Sequence, residues 1–443
     1  MTRRAFLASS ALLAQTAPKR RNLVLLVADD LGLSLGCYGD KNARTPNLDR
    51  LASEGVLFTN AFCTTASCSP SRSVMMTGLY NHSNGQYGLA QADHNFHLKP
   101  PVKPLSRIAK EAGYRTAVIG KFHVNPPSQF QWDVRQEGDT FDVDILNGRV
   151  AKFVGDVPAD TPFYLHMGFG DPHRGPGARF HVDRKTTFDP KEIKPPSFMA
   201  DTPAAREDLS EYYEAVKRMD RGVGLVVETL RKAGRLEDTL LVFISDNGMP
   251  FPNAKTNLYD SGVHLPMIAR GAGLPAGKRC AAMTSWVDLV PTFLEAGGMT
   301  AGGMTAAGLP GRSWLRVARE ENPAGWDHVF LSHTFHGVSM YYPVRGMRTR
   351  QYKYLRNLNP EITFLHATDL SGSPMWQGRD TTLPMGKRAV EAYLHRPAEE
   401  LYDLAADPDE VVNLAGSAAH AQTLEALRMR VSEWRKATKD PWL

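Results

Sequence analysis

Cysteine is scarce in this chain. Four residues out of 443, Cys37, Cys63, Cys68 and Cys280, are too few and too irregularly spaced for a disulfide framework or a zinc ribbon. A surplus of one charge is missing too: 52 basic against 47 acidic residues leave a net charge of +5, and the one basic run is Lys19-Arg20-Arg21, so nucleic acid is not an implied partner. No apolar stretch is long enough to be a transmembrane segment. The 37 glycines and 30 prolines follow no period, which excludes collagen and low-complexity architectures. What remains is an ordinary globular composition, 42% hydrophobic, in a chain long enough for one large α/β domain and a smaller companion.

The first residues stand apart. Arg3-Arg4 precede an uncharged run over residues 5–14, a length that suits the apolar part of an export signal and is too short to span a bilayer. Thr2-Arg3-Arg4-Ala5-Phe6-Leu7 resembles a twin-arginine signal, so residues 1–17 are expected to be a leader and the protein to be exported, to the periplasm of a bacterium-like cell. A frayed basic terminus is the alternative, because no good small-x-small cleavage site follows Ala14.

Beyond the leader, strand-like runs over residues 23–28, 115–119, 163–169 and 239–244 alternate with helical patterns, as in a mostly parallel sheet flanked by helices. Thr45-Pro46 reads as a cap and first helical turn, with Leu48, Leu51 and Ala52 on one face and Gly55 as the stop; Leu105, Ile108 and Ala109 repeat the pattern up to Gly113. A longer helix over about residues 206–232 sets Leu209, Tyr213, Val216, Met219, Val223, Val226 and Leu230 at three- and four-residue steps. Residues 297–311, rich in Gly, Met, Thr and Ala, read as a loop closing this domain at about residue 325. From 326 to 443 the pattern changes to short strands over 328–332, 344–347 and 352–356 and a terminal helix over about 418–436, a small antiparallel sheet with a helix packed on it.

Ligands of open α/β sheets bind beyond the carboxyl ends of the strands, and those ends are unusually polar here. One strand runs into Asp29-Asp30 and another into Ser245-Asp246-Asn247-Gly248, an all-oxygen set suited to a hard divalent cation and unsuited to zinc; each pair taken singly would serve as a turn or cap. Two further strands lead to Gly120-Lys121-Phe122-His123 and Asp171-Pro172-His173-Arg174. Singly these are solvated loop or core residues, but cationic and proton-transferring groups converging with acidic ones suit an anionic substrate on a metal. In Thr65-Ala66-Ser67-Cys68-Ser69-Pro70-Ser71-Arg72, Pro70 opens a helix with Cys68 at its amino end and Arg72 one turn on; a small buried thiol is the structural alternative.

Cys68-Ser69-Pro70-Ser71-Arg72 followed by Met76-Thr77-Gly78 resembles the Cys-x-Pro-x-Arg signature of the type I sulfatases, and the four strand-end motifs fall in that family's order over nearly the whole chain. Within the family, Thr202-Pro203-Ala204-Ala205-Arg206, Arg218-Met219-Asp220-Arg221-Gly222-Val223-Gly224-Leu225, Pro250-Phe251-Pro252, Thr256-Asn257-Leu258-Tyr259 and Asp440-Pro441-Trp442 are similar to the sulfamidase branch, which acts on N-sulfoglucosamine. Two departures stand out: Lys255 where that branch carries Arg, which keeps charge but loses the planar fork, and Gly175 where it carries a disulfide cysteine.

The resemblance implies an alkaline-phosphatase-like α/β fold and an enzyme that removes sulfate from sulfated glucosamine of heparin or heparan-type glycans. It implies that Cys68 is oxidised to formylglycine by a formylglycine-generating or radical maturation enzyme, and that Asp29, Asp30, Asp246 and Asn247, with the modified Cys68, hold one calcium ion. Arg72 would fix the nucleophile, Lys121 and Lys255 would bind sulfate oxygens, His173 would protonate the leaving group, and His123 would take a proton as sulfate departs. His82 and Asp440 match positions at the sugar pocket, with a capping or surface role as the alternative. An O-sulfatase, a phosphonate or phosphate monoester hydrolase on the same scaffold, and a sulfoglycan-binding protein without activity remain competing readings, and a homodimer is left open.

Overall fold

The computed structural model describes residues 20–180, 186–299, 308–379 and 383–443. The expected leader and most of the Gly- and Met-rich loop therefore lie outside the described residues. Among the described residues eight strands form one sheet: β1 (Asn22–Ala28), β2 (Val56–Phe62), β3 (Arg115–Gly120), β4 (Val134–Gln136), β5 (Phe163–Gly168), β6 (Thr239–Ser245), β7 (His264–Arg270) and β8 (Lys278–Ser285). Their spatial order is β4-β3-β5-β1-β6-β7-β2-β8, and all neighbours are parallel except β7, which runs against both β6 and β2.

β1 lies at the middle of the sheet and is buried on both faces, which its unbroken apolar sequence requires. Its alternate residues divide between two cores. Val24, Leu26 and Ala28 pack with Val143, Leu146 and Val150 of helix Val143–Asp156 and with Val216, Met219 and Val223 of helix Pro203–Lys232. Leu23, Leu25 and Val27 join Val74, Ile108 and Phe293 on the other face. That second core continues without interruption into the C-terminal lobe, through Leu331, Met347, Tyr354, Leu401 and Trp434.

The lobe is a second sheet of β9 (His328–Phe335), β10 (Tyr341–Thr349), β11 (Tyr352–Asn357) and β12 (Glu399–Asp403), antiparallel throughout in the order β12-β11-β10-β9, with helix Ala421–Ala437 against it. The expected alkaline-phosphatase-like arrangement of a mostly parallel sheet with helices and a smaller antiparallel lobe is what the chain forms.

One cap differs from expectation. Thr45 precedes helix Pro46–Ser53 but its hydroxyl accepts none of the helix amides; its Oγ1 accepts the Gly36 amide at 2.9 Å. The free amides of Asn47 and Leu48 are instead satisfied by Asp220, from the long helix, at 3.2 and 2.8 Å. Asp220 belongs to the Arg218-to-Leu225 stretch, so part of that motif docks one helix on another. Similarly, Ser67 precedes helix Cys68–Thr77 without capping it, and its hydroxyl lies 2.8 Å from Nδ1 of His336 in the C-terminal lobe.

Candidate active site

The carboxyl ends of β1 and β6 are tied together by short polar links. The Asp30 amide donates to Asp246 Oδ1 at 3.0 Å, and the Leu31 amide donates to Ser245 Oγ at 2.9 Å. Asp30 sits at a φ of 65°, a left-handed turn that an Asp tolerates better than most residues and that brings its carboxylate back over the strand end. The ends of β3 and β5 also approach closely: a Cβ added at Gly168 would lie 2.1 Å from the Lys121 carbonyl oxygen and 3.0 Å from Arg72 Nη1. Glycine there leaves the space that the arginine occupies.

Helix Cys68–Thr77 starts at the nucleophile candidate and carries Arg72 into the same space. Cys68 is 1% exposed, and its Sγ lies 3.9 Å from Asp30 Oδ1. Burial pushes this thiol well above its usual range despite Lys121 and Lys255 nearby, so it is not an intrinsically activated thiolate. Arg72, with no solvent exposure, donates through Nε to Asp246 Oδ2 at 2.9 Å and through Nη1 to the Lys121 carbonyl at 3.0 Å, while Nη2 lies 3.6 Å from Asp29 Oδ1.

Asp29, Asp30, Asp246 and Asn247 converge with Cys68. Burial disfavours the charge on all three carboxyls. It wins at Asp30, where it outweighs Lys255, and at Asp246, where Asp29 adds to it; both are pushed above the ordinary carboxylate range. At Asp29 burial is outweighed by Lys121 and Arg72, which hold the group low. Asn247 Nδ2 donates to Asp30 Oδ1 at 2.6 Å and Asp246 Oδ1 at 2.9 Å. Asn247 Oδ1 and Asp29 Oδ1 are fully buried with no hydrogen-bond partner. Two orphaned oxygens in an all-oxygen cluster fit a hard cation, and ligand atoms of Asp29, Cys68 and Asp246 lie within 4.8 Å of one another.

The remaining groups line the approach. Lys121 pairs with Asp29 Oδ2, and Lys255 bridges Asp30 Oδ2 and Asp369 Oδ2, each at 2.7 Å. His173 Nδ1 is bonded to the Arg174 carbonyl, which turns Nε2 inward to 3.8 Å from both Asp30 Oδ2 and Asp369 Oδ2. His123 Nε2 is bonded to Gln91 Oε1, and its Nδ1 is buried without a partner. Burial, reinforced by Lys255 and Lys121 at His173 and by Lys121 and Arg72 at His123, pushes both imidazoles well below their usual range, so both are neutral at pH 7. Lys121, His123 and His173 open onto a cavity of about 510 Å³.

Of the Asp171-to-Arg174 motif, only His173 faces the cluster. Asp171 pairs with Arg218 at 2.6 and 2.7 Å, and Arg174 makes a two-point contact with buried Asp208 at 2.8 Å. His82 and Asp440 share no hydrogen bond or ion pair with the cluster. Both ring nitrogens of His82 are taken, by Ser332 Oγ at 2.8 Å and Thr438 Oγ1 at 2.9 Å. Asp440 receives Arg345 at 2.8 and 3.0 Å and Arg435 at 2.8 Å. The residues that sequence reasoning missed are Asp369, Gln91 and His336. Two of them belong to the C-terminal part of the chain, and none lies in a run of residues that suggests chemistry.

The sulfatase family profile matches residues 21–299. The chain belongs to the sulfatase family, and with it to the hydrolases of sulfuric esters and sulfamates. Among curated relatives it is 38% identical to the human N-sulphoglucosamine sulphohydrolase, over 96% of this chain and 91% of that protein. Two solved structures share the fold. One, determined in complex with its substrate D-glucosamine-2-N,6-O-disulfate, has a TM-score of 0.71 and 20% identity, covering 95% of this chain and 99% of that one. The other, the phosphonate monoester hydrolase of Agrobacterium radiobacter, has a TM-score of 0.72 and 21% identity, covering 95% and 96%.

Proposed function

We propose that this protein hydrolyses the N-sulfate of glucosamine at the non-reducing end of heparin or heparan-type glycans. The likeness of nearly the whole chain to the human N-sulphoglucosamine sulphohydrolase carries the reading. The protein is exported by its N-terminal leader, residues 1–17, and residues 18–325 and 326–443 act as catalytic domain and subdomain.

Asp29, Asp30, Asp246 and Asn247 would hold a calcium ion, which when bound supplies a positive centre beside the nucleophile and a sulfuryl oxygen. Cys68, converted by a maturation enzyme to formylglycine, would stand as the aldehyde hydrate: one of its two hydroxyls supplies the attacking oxygen, and the other loses its proton as the aldehyde re-forms and sulfate leaves. Arg72 holds Asp246 and Asp29 in place. Lys121 and Lys255 exchange part of their contact with Asp29, Asp30 and Asp369 for sulfuryl oxygens as substrate enters. The S–N bond breaks as the new S–O bond forms, and the nitrogen takes a proton from His173 Nε2, the ring atom left facing the site. An anionic substrate between Lys121 and Lys255 offsets the two charges that add to burial in depressing His173, which favours the protonated imidazole. His123 Nδ1, with Nε2 fixed on Gln91, accepts a proton as sulfate is released.

The test is hydrolysis of defined heparin disaccharides carrying sulfate at one position each, with an aryl sulfate and a phosphonate monoester in parallel. Release of sulfate from the N-sulfated sugar in preference to the 6-O-sulfated one is the expected result. Preference for the O-sulfate or for the phosphonate would replace this reading, and binding without turnover, with Cys68 unmodified, would make the protein a sulfoglycan-binding protein.

A further inference from the structure

Asp369 is out of place in a site built to receive sulfate. Its carboxylate comes from the C-terminal lobe, in the short turn Thr368–Ser371, and reaches across to the end of the large sheet. Lys255 holds Oδ2 at 2.7 Å, and the same oxygen lies 3.8 Å from His173 Nε2. Lys255 holds this carboxyl well below the usual range against the opposing effect of burial, so it is charged throughout the neutral range. Its side chain is 19% exposed, against 1% for Lys255, and Oδ1 accepts no hydrogen bond from the described residues. A fixed negative charge with a free acceptor therefore stands beside the atom that delivers the leaving-group proton.

Such a group repels an incoming sulfate unless it meets a donor. A sulfamate carries one on its bridging nitrogen, next to sulfur, whereas the bridging oxygen of a sulfate ester offers only lone pairs. An acceptor at this point accordingly rewards one substrate and penalises the other, the kind of discrimination that a buried polar group makes best. We infer that Asp369 is a specificity-determining residue that accepts a hydrogen bond from the N–H of the scissile S–N bond and disfavours the S–O bond. This rests on the proposed action on N-sulfated glucosamine and names the residue that selects the nitrogen. Lys255 orients the carboxylate, and His173 and Asp369 contact the same bridging atom from neighbouring directions.

The matched pair N-sulfoglucosamine and glucose 2-sulfate differs only in that atom. The experiment compares kcat/KM for the two in the wild-type protein and in Asp369→Ala and Asp369→Asn, with Ki against aryl sulfate turnover where hydrolysis is too slow. Loss of a hydrogen bond to a charged group predicts that Asp369→Ala lowers the N-over-O preference by about tenfold or more, with Asp369→Asn, which keeps a carbonyl acceptor, in between. If both substrates lose activity in the same proportion, Asp369 only supports Lys255 or a sugar hydroxyl and the inference is wrong; an unchanged preference overturns it equally. A wild-type protein that cleaves aryl sulfate but not N-sulfoglucosamine would instead remove the proposed function, and the inference with it. Thermal unfolding of each variant separates these results from misfolding.

Discussion

Arg72 Nε lies 2.9 Å from Asp246 Oδ2, and neither side chain exposes any surface to solvent. The same guanidinium also reaches the Lys121 carbonyl and faces Asp29, so it organises three strand ends at once. Lysine keeps the charge but cannot make these contacts together. Arg72→Lys is expected to lower kcat on an aryl sulfate by about two orders of magnitude with the fold retained, whereas Arg72→Ala also loses about 3–5 kcal/mol of stability by leaving buried carboxylates unpaired. Steady-state kinetics and denaturant unfolding check both.

Cys68→Ala should abolish turnover without changing the unfolding midpoint by more than a few degrees. Cys68→Ser should instead trap the sulfuryl group as an ester, because a lone hydroxyl cannot regenerate an aldehyde. Intact-protein mass after incubation with substrate should show one added SO₃ in the serine variant, and multiple turnovers by that variant would refute the nucleophile assignment.

Removal of bound cation should destabilise the protein as well as silence it. Asp30 and Asp246 are buried next to Asp29, and a cation that binds only the folded state offsets their mutual repulsion. Elemental analysis is expected to find one calcium per active chain, and a chelator should lower both activity and Tm, with calcium restoring them. An active preparation that holds no divalent ion would reject the site.

Asp288 provides a pH dependence remote from the reaction. Burial pushes its carboxyl from 3.8 up to about 6, although the amides of Ser285 and Arg312 bond its charged form. A raised carboxyl favours the folded state while protonated, so its contribution is complete below 3.8 and declines as the pH rises through about 6. The Tm of the wild type relative to Asp288→Asn should therefore fall by a few degrees across that interval and stay level above it. Calorimetric scans of both proteins from acid to neutral pH measure this directly.

Asp440→Ala leaves Arg345 buried and without its carboxylate. The expected cost is about 3–5 kcal/mol of stability, with the KM for N-sulfoglucosamine unchanged within about threefold in the protein that remains folded. A large rise in KM at undiminished stability would return Asp440 to the sugar pocket. His82→Ala should behave in the same way with a smaller loss, since its two hydrogen bonds are to neutral hydroxyls.

The strands that carry chemistry were legible because they are buried on both faces and end abruptly in polar residues, as β1 does at Asp29 and β6 at Asp246. β2 and β7 were not. Pro266 interrupts β7, and proline is normally a sign against an interior strand; the register of β2 shifts between Phe58 and Ala61, where its pairing with β7 is broken. Cluster residues supplied by strand ends could be found one motif at a time. Asp369 could not, because its meaning lies in a contact between lobes: in the sequence Thr368-Asp369-Leu370-Ser371 it reads as a turn, and only the ion pair with Lys255 separates it from other surface carboxylates. His82 and Asp440 show the converse, since a polar residue of fitting type and position is fully used by Ser332, Thr438 and Arg345.

The burial of Cys68 bears on the order in which the protein is made. Its thiol is enclosed by the loop after β1, by helix Cys68–Thr77 itself and by a neighbouring loop tied on through the Thr256 amide at 2.8 Å from the Ala66 carbonyl. Ser67, the preceding residue, is bonded to His336, which is synthesised more than 250 residues later. An enzyme that modifies this thiol must act on an extended segment before those parts arrive. If Cys68 is modified as proposed, the yield of active protein would depend on modification preceding the folding that encloses the thiol.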